Sequence, residues 1–214
     1  MAVYILIAII SYLIGGIMPA IILTKKIKGF DVREKGSNNA GSTNVLRTAG
    51  KKVAILTLIA DVLKGSAAVL LSLLFAHYLN LDNSIVSIVS AISVVIGHTF
   101  PIYFGFKGGK GVATSIGAVL VINPTIVLIV VLFAVSIILF TRLVSVASIF
   151  GALLFPILMI FLNDKNTSLV QGNSNIYFIL FAIFIALFVV FNHRTNIKKL
   201  KNGEERKITI SNKE

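Results

Sequence analysis

Long apolar runs, separated by short polar segments, extend along almost the whole chain. They cover Ala2–Leu23, Val53–Ala76, Ser84–Phe106, Val112–Thr141, Leu143–Leu162 and Ile176–Phe191. A helix of about 20 apolar residues spans the hydrocarbon of a bilayer. The pattern therefore predicts an all-α integral membrane protein. The first run lacks the basic start and the small-residue cleavage site of a signal peptide, so we expect it to remain as the first span.

Composition agrees with this pattern and narrows the chemistry. Hydrophobic residues make up 57% of the 214 residues and charged residues 13%, whereas a soluble domain is about a quarter charged. The mean hydropathy is +0.96. The chain contains no cysteine, which excludes disulfides, thiolate metal sites and acyl-thioester chemistry on the protein.

The run Val112–Thr141 decides the number of spans, because Asn123 and Pro124 interrupt it. One helix would give six crossings and two helices would give seven. Seven crossings place all but two of the 20 lysines and arginines on one side. Since cytoplasmic loops are enriched in these residues, we predict a seven-transmembrane helix bundle with its N-terminus outside and its C-terminus in the cytoplasm.

The seventh crossing is short. Val112–Ile122 makes about 16 Å of helix at the usual rise per residue, which is too little to cross alone. Either the helix begins near Gly108, or the loop before it dips into the membrane against protein. No repeat of about 20–50 residues divides the chain, so we treat residues 1–207 as one domain. We expect residues 208–214 to form a disordered basic tail.

Three polar segments lie on the predicted cytoplasmic side. They are Gly36–Arg47, His98–Pro101 with Phe106–Thr114, and Asn192–Leu200. Each combines glycine, amide or hydroxyl residues with cations. Glycine allows close backbone approach, successive amides form anion-binding nests, and Arg and Lys supply charge. One such segment is usually a loop beside a span, but three on one face favour a site for a phosphate-like anion.

The second segment is not a nucleotide-binding loop, although Lys107–Gly111 is rich in glycine and lysine. A phosphate-binding P-loop needs a glycine, four further residues, and then Gly-Lys-Ser/Thr. Here Phe104 stands where the first glycine is needed, and Gly111 follows Lys110 where the hydroxyl is needed. The spacing therefore argues against a nucleoside triphosphatase of the P-loop type.

Asp61 and Lys64 are the charged residues inside an apolar run, and they lie on one helical face. An ionisable residue within a span is a functional candidate by default. Mutual neutralisation is the simpler interpretation of this spacing, and both interpretations stay open.

The polar segments resemble the three motifs of a known family, the bacterial acyl-phosphate:glycerol-3-phosphate acyltransferases (PlsY family). The matching stretches, in chain order, are Ser37–Arg47, Asp61–Gly65 in the second span, His98–Pro101 with Phe106–Thr114, and His193–Leu200 followed by Gly203 and Glu204. The resemblance runs from end to end. Two positions depart from the family pattern: Asn38 stands where glycine is usual, and Ala40 stands where proline or an aliphatic residue is common.

The resemblance implies an enzyme of the first step of phospholipid synthesis, in the bacterial inner (cytoplasmic) membrane with its active site on the cytoplasmic side. It would transfer a fatty acyl group from acyl phosphate to the 1-hydroxyl of sn-glycerol 3-phosphate, giving lysophosphatidic acid and phosphate. The donor would come from the soluble phosphate:acyl-ACP acyltransferase of the pathway. Because acyl phosphate is already activated, no cofactor or metal is expected; the partners are the two substrates and the bilayer, and no nucleic acid is expected.

The same resemblance implies the residues of the site. The catalytic residues, which would hold glycerol 3-phosphate, are Ser37, Arg47, Lys110, His193 and Asn196. The substrate-binding residues would be Asn39, Gly41, Ser42, Thr43, Asn44, His98, Lys107, Gly108 and Gly109, of which Gly41–Asn44 would receive the acyl phosphate. The base for the hydroxyl stays open between His193 and the leaving phosphate. A different mechanism would use Ser37 as a covalent nucleophile, but no base is evident beside Ser37, and direct transfer is simpler.

Two other function classes compete with this interpretation. An organophosphate transporter would use the same cations, but many transporters carry internal repeats and bind at the bilayer midplane. A phosphatidyl-type transferase normally holds Mg²⁺ with clustered carboxylates, and the sequence has no Asp-x-x-Asp pair. His77 and Asp82 repeat a His-x4-Asp spacing that a different class of glycerolipid acyltransferases uses. We expect no role for them, because they lie on the predicted outer side.

Overall fold

The computed structural model describes residues 1–163, 169–170 and 175–208. Over these residues the chain forms ten α-helices and two short 3-10 turns. The helices are α1 (Ala2–Gly16), α2 (Pro19–Lys28), α3 (Ser42–Ala49), α4 (Lys51–Leu79), α5 (Asn83–Thr99), α6 (Val112–Ile122), α7 (Pro124–Thr141), α8 (Val144–Leu162), α9 (Asn175–Asn192) and α10 (Arg194–Lys201), and the 3-10 turns are Val32–Glu34 and Ile102–Phe104.

Six stretches of the described chain are long and apolar enough to cross a membrane. They are Ala2–Lys28, Lys51–Leu79, Asn83–Phe104, Pro124–Thr141, Val144–Leu162 and Asn175–Asn192. The helix α6 is apolar but has only 11 residues. The prediction of an all-helical fold with membrane-length helices is confirmed, while the seventh crossing depends on α6 and stays a prediction.

The interruption predicted at Asn123 and Pro124 is present, and it separates α6 from α7. Proline occupies the first position of α7, where its missing N–H costs nothing. The Oδ1 of Asn123 accepts a 3.1 Å hydrogen bond from the backbone N–H of Ile126, which caps the new helix. At its other end, α6 begins at Val112 after Gly111. The alternative that this helix begins near Gly108 is therefore wrong.

The first apolar run differs from the single span that the sequence suggested. It is divided between α1 and α2 at Ile17 and Met18, directly before Pro19. Proline disfavours helical geometry in the residue before it and cannot donate the backbone hydrogen bond that a continuous helix needs. The second piece, α2, carries Lys25, Lys26 and Lys28 in its last turn, the first of the cations predicted to face the cytoplasm.

Glycines let α6 pack closely on α4. A Cβ at Gly65 would overlap the carbonyl oxygen of Thr114, and a Cβ at Gly117 would overlap the carbonyl oxygen of Val62. Small residues allow such close approach of helices in membranes. The start of α6, and with it the loop before α6, is thereby fixed against the long helix α4.

A small apolar cluster supports the first polar segment. Met18, Ile21, Val32 and Val45 are fully buried in it, between α2, α3 and the first 3-10 turn. This cluster is separate from the main core among α4–α9. It anchors the N-terminal half of the polar segment and the short helix α3 on the membrane helices.

The chain after α10 turns back toward the helix bundle. The backbone N–H of Ile208 donates a 2.8 Å hydrogen bond to the carbonyl of Arg142, between α7 and α8. Of the tail predicted at 208–214, only Ile208 is among the described residues, and positions 209–214 lie outside them.

Candidate active site

The first and third polar segments surround one small cavity of about 50 Å³. Its lining residues are Gly36, Ser37, Arg47, Asn196, Lys199, Glu205 and Arg206. The second segment reaches this cavity through Lys110, whose side chain contacts Asn196. The three polar segments are far apart in the sequence but close together in the structure, as expected if they lie on the same side of the membrane.

Lys110, Asn196 and Glu205 form a chain of side-chain hydrogen bonds. Lys110 Nζ donates to Asn196 Oδ1, and Asn196 Nδ2 donates to Glu205 Oε1 at 2.8 Å. Burial is the main cause that lowers the pKa of Lys110 to about 8; the carboxylate of Glu205 opposes this shift, and the positive charges of Arg47 and Lys199 contribute to it. The ammonium is therefore mostly charged at neutral pH, in a place where little water screens it.

Arg47 lies in the last turn of α3 and faces the same cavity. Its Nη2 donates a 2.7 Å hydrogen bond to the backbone carbonyl of Arg206. Its Nε is buried and has no hydrogen-bond partner within the described residues. Burial lowers the pKa of Arg47, but a guanidinium remains charged at physiological pH. Arg47 therefore has unused capacity to bind an anion.

His193 lies between α9 and α10, and its ring is oriented by the preceding helical turn. Nδ1 is 2.8 Å from the carbonyl oxygen of Val189, which can only accept a hydrogen bond. Nδ1 therefore carries the proton. Burial lowers the pKa of His193 to about 4, and the charge of Lys110 adds to this effect. At pH 7 the ring is neutral, so Nε2 has a lone pair that can accept a hydrogen bond from a hydroxyl.

Asn44 organises the first polar segment from within. Its Oδ1 accepts a 2.8 Å hydrogen bond from the backbone N–H of Ser37. Its Nδ2 faces three loop carbonyls, those of Val32, Lys35 and Asn39, at 2.9, 2.9 and 3.0 Å. Only 2% of Asn44 is exposed. The structure therefore uses this predicted substrate ligand to hold Ser37 and the loop in shape.

The N-terminus of α3 opens beside this loop. Gly41 precedes the helix and has no side chain to cap it. The first amides of an α-helix have no partner inside the helix, and they attract anions together with the helix dipole. Ser42 and Thr43 supply these amides and are partly exposed.

The glycine loop, Gly105–Gly111, folds back on the end of α5. The backbone N–H groups of Gly108 and Gly109 donate to the carbonyls of Thr99 and His98 at 3.1 and 3.0 Å. Both amides are thus used inside the protein, so they do not form the anion nest that the sequence suggested. Lys107 is exposed, and the loop contacts the cavity wall through Lys110, which donates to the lining residue Asn196.

His98 lies below the glycine loop instead of in the cavity. It is 3% exposed, and its Nδ1 lies 3.3 Å from Asp61 Oδ1. Lys64 Nζ lies 2.9 Å from the same oxygen. The ion pair suggested by the spacing of Asp61 and Lys64 is therefore present, and the ring of His98 lies beside the same carboxylate oxygen.

Comparison with known proteins identifies the family. A family model described as glycerol-3-phosphate acyltransferase matches residues 5–203, nearly the whole chain. The chain belongs to the glycerol-3-phosphate acyltransferase family. The family resemblance of the three motifs is thereby confirmed.

Relatives in this acyltransferase family align along almost their full length. A glycerol-3-phosphate acyltransferase of Clostridioides difficile (strain 630) is 44% identical over 205 residues, which cover 96% of this chain and 95% of the relative. One of Thermoanaerobacter pseudethanolicus is 41% identical over 204 residues and covers 95% of both chains. Relatives of this acyltransferase thus share both its length and its sequence.

Two solved structures share the fold. A crystal structure of PlsY (YgiH), an integral membrane glycerol 3-phosphate acyltransferase in its glycerol 3-phosphate form, has a TM-score of 0.80 and 34% identity and covers 96% of both chains. A lysophosphatidic acid form has a TM-score of 0.78 and 33% identity, covering 96% of this chain and 95% of that chain. The present chain is accordingly an integral membrane protein of the acyltransferase family.

Two residues that support this acyltransferase site, Glu205 and Arg33, are not among the residues predicted from the sequence. Glu205 places a carboxylate on the wall of a cavity whose other charged lining residues are cations. In the sequence it is marked only by being one of two adjacent acids, Glu204 and Glu205, in a basic segment. Arg33 donates from Nη1 to the carbonyls of Phe104 and Lys107 at 2.7 and 3.2 Å, which ties the first polar segment to the second. Asp31 holds this guanidinium by a 2.9 Å ion pair, and the hydrogen bond from Arg33 keeps the pKa of Asp31 well below its usual range.

The backbone conformation of Asn38 shows why asparagine can replace the usual glycine of the family at this position. Its φ is +59°, in the left-handed region that glycine adopts readily and that asparagine tolerates better than most other residues. The backbone geometry expected of glycine is therefore retained.

His77 and Asp82 have other contacts. His77 is exposed and packs edge-on against Tyr78, while the carboxylate of Asp82 caps α5 through the N–H groups of Ser84 and Ile85. Within the described ranges, no group of three or more His, Cys, Asp or Glu could hold a metal ion.

Proposed function

We propose that this acyltransferase moves a fatty acyl group from acyl phosphate to the 1-hydroxyl of sn-glycerol 3-phosphate, giving lysophosphatidic acid and inorganic phosphate. The observation that carries the proposal is the cavity lined by Ser37, Arg47 and Asn196, where Lys110 donates to Asn196 and the charge of Lys110 acts on the neutral ring of His193. Both substrates present a phosphate, and this cavity offers two cations in a poorly hydrated place beside an apolar helix bundle. The glycerol 3-phosphate and lysophosphatidic acid forms of a relative with 34% and 33% identity support the acceptor and the product.

Glycerol 3-phosphate binds with its phosphate between Arg47 and Lys110. The buried Nε of Arg47 gains a partner, and Lys110 adds its charge. Ser37, on the cavity wall, donates to the same phosphate through its hydroxyl, and Asn196 keeps Lys110 in place through its amide oxygen. The glycerol 1-hydroxyl then lies at Nε2 of His193, which accepts its hydrogen bond.

Acyl phosphate binds with its head at the N-terminus of α3. Gly41, Ser42 and Thr43 supply open amides and hydroxyls to the phosphate, and the alkyl chain lies along the apolar helices. Each buried methylene contributes about 0.8 kcal/mol to binding. The remaining predicted binding residues do not contact the substrates directly. Asn39, Asn44, His98, Gly108 and Gly109 hold the loops in shape, and the exposed Lys107 attracts the anions.

The chemistry is one direct transfer. The 1-hydroxyl oxygen attacks the acyl carbonyl carbon, the bond from this carbon to the phosphate oxygen breaks, and phosphate leaves with the electron pair. The hydroxyl proton goes to the leaving phosphate; the lowered pKa of His193, about 4, favours the phosphate over the imidazole as the base. His193 instead orients the hydroxyl, and Arg47, Lys110 and the α3 amides stabilise the developing negative charge.

The membrane arrangement completes the proposal. The chain forms one domain over 1–207 and crosses the inner (cytoplasmic) membrane of a bacterium seven times, with α6 and the loop before it as the short crossing. Its N-terminus is outside and its C-terminus and active site are in the cytoplasm. From there it receives acyl phosphate made by the soluble phosphate:acyl-ACP acyltransferase.

A donor comparison tests the proposed reaction. Purified protein is given glycerol 3-phosphate with either palmitoyl phosphate or palmitoyl-CoA at equal concentration, in the presence of a metal chelator. We expect lysophosphatidic acid from palmitoyl phosphate alone, because a compact phosphate head suits the small cavity and CoA does not. Equal product from both donors, or none from the phosphate, would contradict the proposal.

A further inference from the structure

Asp61, Lys64 and His98 form a polar cluster in the interior of the helix bundle that the proposed chemistry does not use. They are 1%, 7% and 3% exposed. Lys64 Nζ and His98 Nδ1 lie 2.9 and 3.3 Å from one carboxylate oxygen, Asp61 Oδ1. Burying polar groups in this way is costly in a membrane, and it marks them as candidates for a function.

Charge balance explains two members of the cluster but not the third. Asp61 and Lys64 neutralise each other. Lys64 also donates a 2.6 Å hydrogen bond to the carbonyl of Ile17, where the break between α1 and α2 leaves that oxygen without its helical partner. His98 is not needed for neutrality, so its presence calls for a separate reason.

The opposite edge of the His98 ring supplies this reason. A Cβ at Gly109 would overlap Nε2 of His98, and a Cβ at Gly108 would overlap the carbonyl oxygen of His98. The backbone N–H of Gly109 donates to that same carbonyl at 3.0 Å. The ring thus fills the space that the missing Gly109 side chain leaves, and it forms the floor of the glycine loop.

This floor is connected to the cavity through the next residue. Lys110 follows Gly109 directly, and its Nζ contacts Asn196. The backbone carbonyl of Gly108 also accepts a 3.4 Å hydrogen bond from Ala40 in the first polar segment. A shift of the glycine loop would therefore move Lys110 and the part of the first polar segment around Ala40 together.

We infer that Asp61 and His98 are positioning residues: the carboxylate fixes the imidazole, and the imidazole holds the glycine loop that places Lys110. Neither touches substrate. The inference rests on the proposed function only for the kinetic part of its test, since the position of the loop can be measured without any reaction.

Loop mobility gives the first test. The chain has no cysteine, so Lys107→Cys with a nitroxide label reports on the glycine loop from an exposed position. Two variants remove the support of the loop: His98→Ala, and a double variant that combines Asp61→Asn with Lys64→Met so that no charge is left unpaired. Each should narrow the lines of the electron paramagnetic resonance spectrum, because the label on the loop becomes more mobile. Ser72→Ala is the matched control, because Ser72 is buried in the same helix α4 and its hydroxyl donates to a carbonyl of that helix, that of Val69. Unchanged spectra in both test variants would overturn the inference.

Kinetics give the second test, in chains without the reporter. His98→Ala should lower kcat/KM for glycerol 3-phosphate on the order of 10- to 100-fold, the effect expected of a misplaced binding group, mainly through KM. The thermal midpoint should fall no further than in Ser72→Ala. A loss confined to kcat, or one that only accompanies unfolding, would overturn the positioning role. If the unsubstituted protein makes no lysophosphatidic acid, the proposed function fails, while the spectra still decide the inference.

Discussion

Asn196 donates a 2.8 Å hydrogen bond to Glu205 on the wall of the cationic cavity. This contact fixes which way the amide faces, because a carboxylate accepts only from nitrogen and the ammonium of Lys110 donates only to oxygen. Glu205 also raises the pKa of Lys110 against the effect of burial. A single carboxylate thus orients one of the predicted catalytic residues, Asn196, and helps another, Lys110, to keep its charge.

The charge state of Lys110 predicts how activity depends on pH. A lysine is cationic below its pKa, so kcat/KM for glycerol 3-phosphate should be high below pH 8 and fall as the pH rises through about 8. Lys110→Arg, which stays charged, should extend activity to higher pH. Glu205→Gln should move the alkaline fall to lower pH, because the charge that raises this pKa is removed. An alkaline limb that is the same in all three proteins would show that Lys110 does not set it.

Removal of either cavity cation should abolish most activity without loss of folded protein. Arg47→Ala and Lys110→Ala each leave a substrate phosphate without its charged partner, which costs roughly 2–5 kcal/mol, or about one and a half to four decades in kcat/KM. Lys201→Ala is the matched control, an exposed cation on α10, and it should be nearly silent. Similar losses in all three variants would assign the effect to general surface charge and contradict the site.

The backbone at Asn38 predicts which substitutions this position accepts. Asn38→Gly should keep full activity, because glycine adopts a φ of +59° without strain. Asn38→Val should lower stability by about 1–3 kcal/mol, since a β-branched residue is strained there. Thermal unfolding in detergent and initial rates check both variants. A destabilised glycine variant would show that the asparagine side chain, and not its backbone conformation, is needed.

Single-cysteine labelling tests the seven-span arrangement. Lys107→Cys lies in the exposed loop before α6 and Thr125→Cys lies at the exposed start of α7. If α6 and its loop make a crossing, a membrane-impermeant reagent should label Thr125→Cys from outside intact cells and should reach Lys107→Cys only after the cells are opened. Labelling of both positions from the same side would mean six crossings.

Helices and their breaks were largely predictable because each depends on neighbouring residues. Apolar runs of membrane length mark the spans, and Pro124 marks the start of α7. Pro19 carries the same kind of signal for α1 and α2, but the uninterrupted apolar run around it concealed the break. Charge asymmetry adds the expected orientation, which is a property of the whole chain.

Contacts inside the site were less predictable, because they join residues that are distant in sequence. Motif resemblance indicated that Arg47, Lys110 and Asn196 belong together, and the cavity brings them together. It could not show that the amides of Gly108 and Gly109 face inward or that His98 lies beneath them. Glu205 was missed because an acid in a basic segment has no pattern of its own; its role arises only when the chain after α10 folds back.

Phosphate release coupled to product formation tests the central claim most directly. Purified protein is mixed with palmitoyl phosphate, with and without glycerol 3-phosphate, and inorganic phosphate and lysophosphatidic acid are both quantified. The account predicts equimolar release of the two products, only when glycerol 3-phosphate is present, and loss of both in Lys110→Ala. Phosphate released at the same rate without glycerol 3-phosphate, or released without lysophosphatidic acid, would contradict it.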